Sequence, residues 1–156
     1  MDLALMAAEL ERDEGVRLYA YMDTTGNRTV GVGRNLDANP LTTDELTHVG
    51  HDARLKPITH EQALYLLRND IQRTSLELNR RMHWWTNLDE VRQRVLLNMA
   101  FNLGVPRLLA FTETLRWTEQ GHYNAAAQCR LQSVWANQVG QRAERLAQMM
   151  RTGEVK

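Results

Sequence analysis

Within sixteen residues the chain places two carboxylates and a hydroxyl at a spacing that can do proton-transfer chemistry. Glu14 comes first, Asp23 follows after eight intervening residues, and Thr29 after five more. Two acids beside a short, turn-rich extended segment suit work on a bond that both can flank. One gives a proton to the departing atom, and the other acts on water or on developing positive charge. Each residue also has a plainer role. Glu14 can pair with Arg17 or Arg142, Asp is common in turns, and Thr is a good strand former. His48 and His51, next to Asp52, could seed a metal site. Nothing nearby completes a ligand set, so a surface loop is the better account. No cofactor and no metal is expected.

The elements that must position the three residues are legible in the flanking pattern. Leu3, Met6, Ala7 and Leu10 make one helical stripe, and the helix is expected to end near Asp13–Gly15, leaving Glu14 at the exit. Leu18, Tyr19 and Tyr21 suggest a short strand, and Thr24-Thr25-Gly26-Asn27 is turn chemistry. Arg28 to Gly33 then alternates: Val30 and Val32 on one face, and Thr29, Gly31 and Gly33 on the other, where small residues would admit a ligand. Residues 35–57 read as irregular apart from a capping box at Thr42-Thr43-Asp44-Glu45. A second capping box, Thr59-His60-Glu61-Gln62, opens a long helix to about Met82, with Ala63, Leu66, Leu67, Ile71 and Leu78 as its stripe. The rest reads as helical. Asn87 caps a helix that runs to Leu103 and is stopped by Gly104-Val105-Pro106, and further helices lie near 112–120, 123–134 and 141–151. The run LLNMAFNLG is apolar almost all round and is expected at the centre of a helical core. Trp84-Trp85 reads as an anchor between lobes rather than a sugar-stacking surface.

Composition narrows the function classes. The chain has 156 residues, 43% apolar and 24% charged, enough for one domain or two small lobes with a real core. No apolar run approaches the roughly 20 residues that cross a bilayer. The acidic start, with Glu9 and Glu11, does not read as a signal peptide. A single cysteine, Cys129, suits a reducing compartment. The net charge of zero hides an asymmetry. Residues 1–70 carry 12 acidic and 7 basic side chains, whereas residues 71–156 carry 7 acidic and 12 basic. The basic half could meet an acidic polymer, but the arginines form no nucleic-acid motif, and a solvated helix surface explains most of them.

The E-x8-D-x5-T spacing, set between a helix end and a turn, resembles the catalytic signature of phage-type lysozymes (endolysins) of glycoside hydrolase family 24, the T-even phage lysozyme family. The likeness continues through Asp13-Glu14-Gly15, Thr29-Val30-Gly31-Val32-Gly33, Asn69-Asp70, Asn98-Met99-x-Phe101, Ser133-x-Trp135, Arg142-Ala143 and Arg151-Thr152-Gly153, in order along nearly the whole chain. It implies an α+β, two-lobed fold: a small β-containing lobe over 14–58, a connecting helix over 59–82, and a helical lobe over 83–156 on which helix 3–12 packs. It implies hydrolysis of the β-1,4 bond between N-acetylmuramic acid and N-acetylglucosamine in peptidoglycan, with inversion favoured. Glu14 would be the general acid, which must hold its proton near neutral pH; that takes burial or a neighbouring negative charge. Asp23 would act on water or stabilise the oxocarbenium-like centre, and Thr29 would help hold the water.

The same resemblance implies substrate contacts at Gly33, Asn35, Phe101, Asn102, Thr114 and Arg142, with Arg142 beside the acid. Three departures stand out. Arg34 replaces a histidine and could pair with Asp70, which at an exposed site would be worth about 0–1 kcal/mol. Asn102 replaces a longer amide, and Cys129 an amide that can reach the sugar. The implied biology is a monomer that collects in a host cytoplasm and depends on a holin-type membrane protein to reach the wall. Two other readings stay open on sequence: a lytic transglycosylase on the same bond, and a non-enzymatic wall-binding or phage structural domain.

Overall fold

A computed structural model describes residues 1–131 and 133–155. It is mostly helical with one small antiparallel sheet, an α+β architecture. The described chain divides into two compact units, Asp2–Arg73 and Thr74 onward with Met1. The boundary falls inside helix α3 (His60–Arg81).

The first unit begins with α1, Leu3–Glu14. Asp2 caps it by accepting from the amides of Ala4 and Leu5, which satisfies two of the orphan donors of the first turn. Met6, Ala7 and Leu10 are buried as the stripe requires, whereas Leu3 lies 37% exposed in the first turn. Gly15 ends the helix at φ 75°, its amide closing on the Glu11 carbonyl.

The sheet runs β1 (Arg17–Met22), β2 (Arg28–Gly31) and β3 (Arg34–Asn35) in that spatial order, all antiparallel. Tyr21 pairs with Thr29 and Met22 with Arg28, and the register slips between Arg17 and Tyr21. Residues 35–57 are less irregular than their composition suggests. Asn35 belongs to β3 opposite Thr29, and α2 spans Thr43–Val49 behind the complete Thr42/Glu45 capping box. The Thr59/Gln62 box likewise opens α3, each partner bonding the other's amide.

The alternation expected from Arg28 to Gly33 does not persist. Gly31 (φ 68°) and Gly33 (φ 73°) turn the chain, so β2 ends at Gly31. A Cβ on Gly31 would sit 3.5 Å from that of Ala63 and 3.8 Å from Ile58 Cδ1. At those distances a methyl would make ordinary contact, so the positive φ calls for glycine, and the face of Gly31 meets α3 and not a ligand. Val30, Leu36, Val49, Ala53, Ile58, Ala63 and Leu66 form this unit's core, with Val16, Leu18 and Ala20 of the β1 segment packed against it.

Arg34 is buried in this unit, 2% exposed. It pairs with Asp70, as expected, and also with Glu45, and both carboxylates are buried. The exposed-pair energy set out above therefore does not apply. Arg34, Glu45 and Asp70 thus form a buried ion network.

In the second unit a 3-10 turn, His83–Asn87, precedes α4 (Glu90–Leu103). Asp89, not Asn87, caps α4, accepting from the Arg92 amide. Trp85 is buried here and donates to the Gln93 carbonyl. Helix α4 is buried along Arg94 to Ala100, as its apolar run requires. Gly104 ends it, but Val105-Pro106 then starts a new short helix, α5 (Val105–Leu109), because proline is tolerated in a first turn. Helix α6 covers Thr112–Glu119. The single helix expected over 123–134 is two, α7 (Tyr123–Leu131) and α8 (Val134–Val139), since Ser133 caps a fresh start by accepting from the Ala136 amide. Helix α9 (Gln141–Thr152) packs on α4, α7 and α8 through Ala143, Leu146, Ala147 and Met150. Arg92 closes its C-terminus, donating to the carbonyls of Met150 and Arg151 while stacking 3.5 Å over Tyr123.

Candidate active site

Glu14 is the last residue of α1 and lies half-buried, three residues before β1 begins. The helix end that carries it is tethered one turn earlier, where Glu11 Oε1 meets His60 Nε2 at 2.7 Å at the start of α3. That contact ties the exit of α1 to the start of α3.

Asp23 follows β1 and opens the hairpin turn. Its amide donates to the Asn27 carbonyl at 2.8 Å, and Gly26 (φ 85°) returns an amide to the Asp23 carbonyl at 3.1 Å. The carboxylate is held unevenly. Oδ1 accepts from the Thr25 amide at 2.9 Å, the Thr25 hydroxyl at 2.8 Å and the Asn27 amide at 2.8 Å. Oδ2 has the Thr29 hydroxyl at 3.4 Å. The Asn27 amide foremost, then the Thr25 hydroxyl, hold this carboxyl below the usual carboxylate range. Hydrogen bonds to the charged form favour it. Asp23 is thus a standing base or anion rather than a proton donor.

Thr29 is 4% exposed in β2, directly across from Tyr21 and Asn35. Its hydroxyl also lies 3.2 Å from the Asn27 carbonyl, the shorter of its two contacts. With the proton turned to that carbonyl, its lone pairs can receive a donor arriving beside Asp23 Oδ2. Asn35 spends its side-chain oxygen on the amides of Asp37 and Ala38, fixing the loop after β3. Gly33 forms the turn that leads into β3.

Phe101, Asn102, Thr114 and Arg142 belong to the second unit. Phe101 is half-buried on α4 and Asn102 is exposed, its side-chain oxygen accepting from Trp135 Nε1 at 2.7 Å. Thr114 is buried in α6, and its carbonyl accepts from the Thr118 hydroxyl. Arg142, 9% exposed, donates through Nε to Asn98 Oδ1 at 2.9 Å. Cys129 is half-buried on α7.

Thr25, Asn27 and Trp135 were not singled out as site residues from the sequence. The signal for the first two was present: a hydroxyl and an amide two and four residues after an acid, in a turn, are where local side-chain bonds form. Nothing local marks Trp135, which reaches Asn102 across 33 positions. The two histidines are occupied otherwise. His48 stacks on Tyr65 with centroids 3.8 Å apart, and His51 Nε2 lies 2.8 Å from the Pro57 carbonyl.

The phage lysozyme family model matches residues 11–152, a span that includes Glu14, Asp23, Thr29 and Arg142. The chain is 30% identical to the probable T4-type lysozyme 1 of Dictyostelium discoideum, over 92% of each chain. It is 28% identical to that organism's probable T4-type lysozyme 2, over 94% of each. It is also 31% identical to part of the pre-baseplate central spike protein Gp5 of Enterobacteria phage T4, spanning 96% of this chain and 28% of that one.

Proposed function

The chain belongs to the phage lysozyme family and is a lysozyme-type glycoside hydrolase acting on peptidoglycan; from that premise we propose an inverting muramidase in which Glu14 is the general acid and Asp23 the base. The observation that carries this reading is the asymmetry at Asp23, with Oδ1 taken by three donors and Oδ2 turned to a loosely placed Thr29 hydroxyl. A water there donates one proton to Oδ2 and one to the Thr29 oxygen, which directs its own lone pair at the anomeric carbon. As the glycosidic bond breaks, its electron pair goes to the departing oxygen, which takes the Glu14 proton. The water oxygen bonds the anomeric carbon and gives its proton to Asp23. Glu14 ends ionised and Asp23 protonated, and bulk water resets both.

In this reading Gly33 and Asn35 shape the sugar-facing rim of the sheet, Phe101 supplies a ring face, and Asn102 contacts the sugar through its amide while Trp135 holds its oxygen. Thr114 and Arg142, both buried, act through shape and charge. The bond cleaved joins N-acetylmuramic acid to N-acetylglucosamine. The biological setting is phage lysis of a host cell by a monomer that reaches the wall after a holin-type protein opens the membrane. Among the described residues no helix is long and apolar enough to cross a membrane itself.

The test is turbidity loss of purified walls with wild type, Glu14→Gln and Asp23→Asn, with products read by mass and by the anomeric proton signal. The reading expects lysis from wild type alone and a product hydrated at the new reducing end with inverted configuration. Retained lysis in Glu14→Gln would refute the acid assignment. An anhydro-sugar product would move the chain to transglycosylase chemistry, and sugar binding without lysis in wild type would leave only a wall-binding domain.

A further inference from the structure

The donors on Asp23 Oδ1 are not equivalent. Two are backbone amides, which any residue but proline at positions 25 and 27 would supply. The third is the Thr25 hydroxyl at 2.8 Å, which only a threonine or serine supplies here. That hydroxyl has one proton and two lone pairs. Asn27 Nδ2 lies 2.9 Å from the same oxygen, and an amide nitrogen can only donate. It occupies a lone pair of Thr25 Oγ1 and so turns the single proton toward Asp23. The result is a directed chain, Asn27 Nδ2–H to Thr25 Oγ1–H to Asp23 Oδ1, in which each bond polarises the next.

Resting on the reading of Asp23 as the base, we propose that Thr25, locked by Asn27, is a positioning residue: it clamps Oδ1, fixes the carboxylate plane, and leaves Oδ2 as the single oxygen that works on water. The argument is geometric. A carboxylate turns readily about its Cβ–Cγ bond, since such terminal torsions are broad and roughly two-fold. Rotation away from the observed plane would carry the second oxygen off the Thr29 hydroxyl and out of line with a water held there. Three donors converging on one oxygen oppose that rotation and hold the other oxygen beside Thr29. The donors are all uncharged, and the next charged residue along the hairpin, Arg28, stands opposite Met22, so the clamp is built from hydrogen bonds. The same bonds account for the lowered Asp23 carboxyl.

The experiment compares Thr25→Val, Thr25→Ser and Asn27→Ala with wild type, by kcat and KM over a pH series and by carbon NMR titration of the Asp23 carboxyl. Thr25→Val keeps the branched shape and the backbone amide while losing the hydroxyl, in an exposed turn where folding tolerates it. The expected result is a roughly tenfold fall in kcat at the pH plateau with KM unchanged. With it, both the Asp23 midpoint and the acid limb of activity shift to higher pH. Thr25→Ser restores wild-type values, and Asn27→Ala moves the midpoint in the same direction. A lowered rate with an unmoved Asp23 midpoint would make Thr25 a turn former only and overturn the proposal, as would failure of Thr25→Ser to restore. Full lysis by Asp23→Asn would instead overturn the base assignment, while the titration arm would still report whether Thr25 holds the carboxylate.

Discussion

Replacing Arg34 by methionine should cost the protein about 3–5 kcal/mol at neutral pH, the range for removing one partner of a buried ion pair. The magnitude follows from what the guanidinium does. Nη2 and Nη1 reach the two oxygens of Glu45 at 2.6 and 3.0 Å, a bidentate pairing, and Nη1 also reaches Asp70 Oδ1 at 2.9 Å. Nε donates to the Asn39 carbonyl and Nη2 to that of Pro40, so the loop after β3 hangs on the same group. The three side chains are 2%, 2% and 6% exposed. Without Arg34, Asp70 keeps Arg73, which is 44% exposed and shields it weakly, while Glu45 keeps the Thr42 amide and Asn69 but no cation. Methionine fills the volume, so the loss measures charge rather than a cavity.

Urea unfolding followed by far-ultraviolet circular dichroism is the assay. All four tryptophans lie at position 84 or later, so their fluorescence would report the second unit alone. Arg34→Lys should fall between wild type and methionine, because an ammonium cannot make the bidentate fork. Replacing all three charged groups with apolar residues of similar volume should recover most of the loss, since the penalty is the unpaired charge rather than the missing bridge. A loss below about 1 kcal/mol for Arg34→Met would put the pair in the surface class and refute the reasoning.

The same network predicts acid sensitivity, with a sign that can be checked. Burial alone would raise Glu45, but the Arg34 guanidinium, the Thr42 amide and Asn69 hold it at about 2, from an ordinary 4.5. The folded chain therefore binds fewer protons than the unfolded one across that window. Up to about 3 kcal/mol of stability, complete above pH 4.5, is lost as pH falls toward 2. Burial pushes Asp70 the other way, so its contribution grows on acidification and fades as pH rises through its folded value. The Glu45→Gln variant isolates the first effect: its stability, measured by urea unfolding between pH 5 and 2, should fall less steeply than wild type's, and parallel curves would contradict the assignment. Gly31→Ala should destabilise by about 1–2 kcal/mol, because φ is 68° while the new methyl would find only ordinary contact with Ala63; thermal unfolding reads this directly, and an unchanged melting temperature would mean that the turn relaxes freely.

Much of this protein was written locally. Helix stripes follow from 3.6-residue periodicity, so Met6, Leu10, Leu66 and Ile71 were legible as core before any fold was known. The two capping boxes were readable because both partners lie within four residues. Glu14, Asp23 and Thr29 were readable as a candidate set because a helix exit, a turn and a strand present them in one short stretch. Errors arose where competing local signals were close in strength, as at Asn87 against Asp89, or where one serine cap split a helix in two.

Only tertiary structure decided the rest. Gly31 reads identically whether its bare face meets a ligand or a helix, and the approach of Ala63 settled it. Arg34 and Asp70 looked like an ordinary ion pair, and their worth turned on burial with Glu45, which depends on how α2, α3 and the sheet close around them. The Trp135 bond to Asn102 spans helices far apart in sequence. Residue type and spacing specify which groups can do chemistry. Burial and long-range contact set what each group is worth, and both depend on the whole packed surface rather than on any stretch of chain.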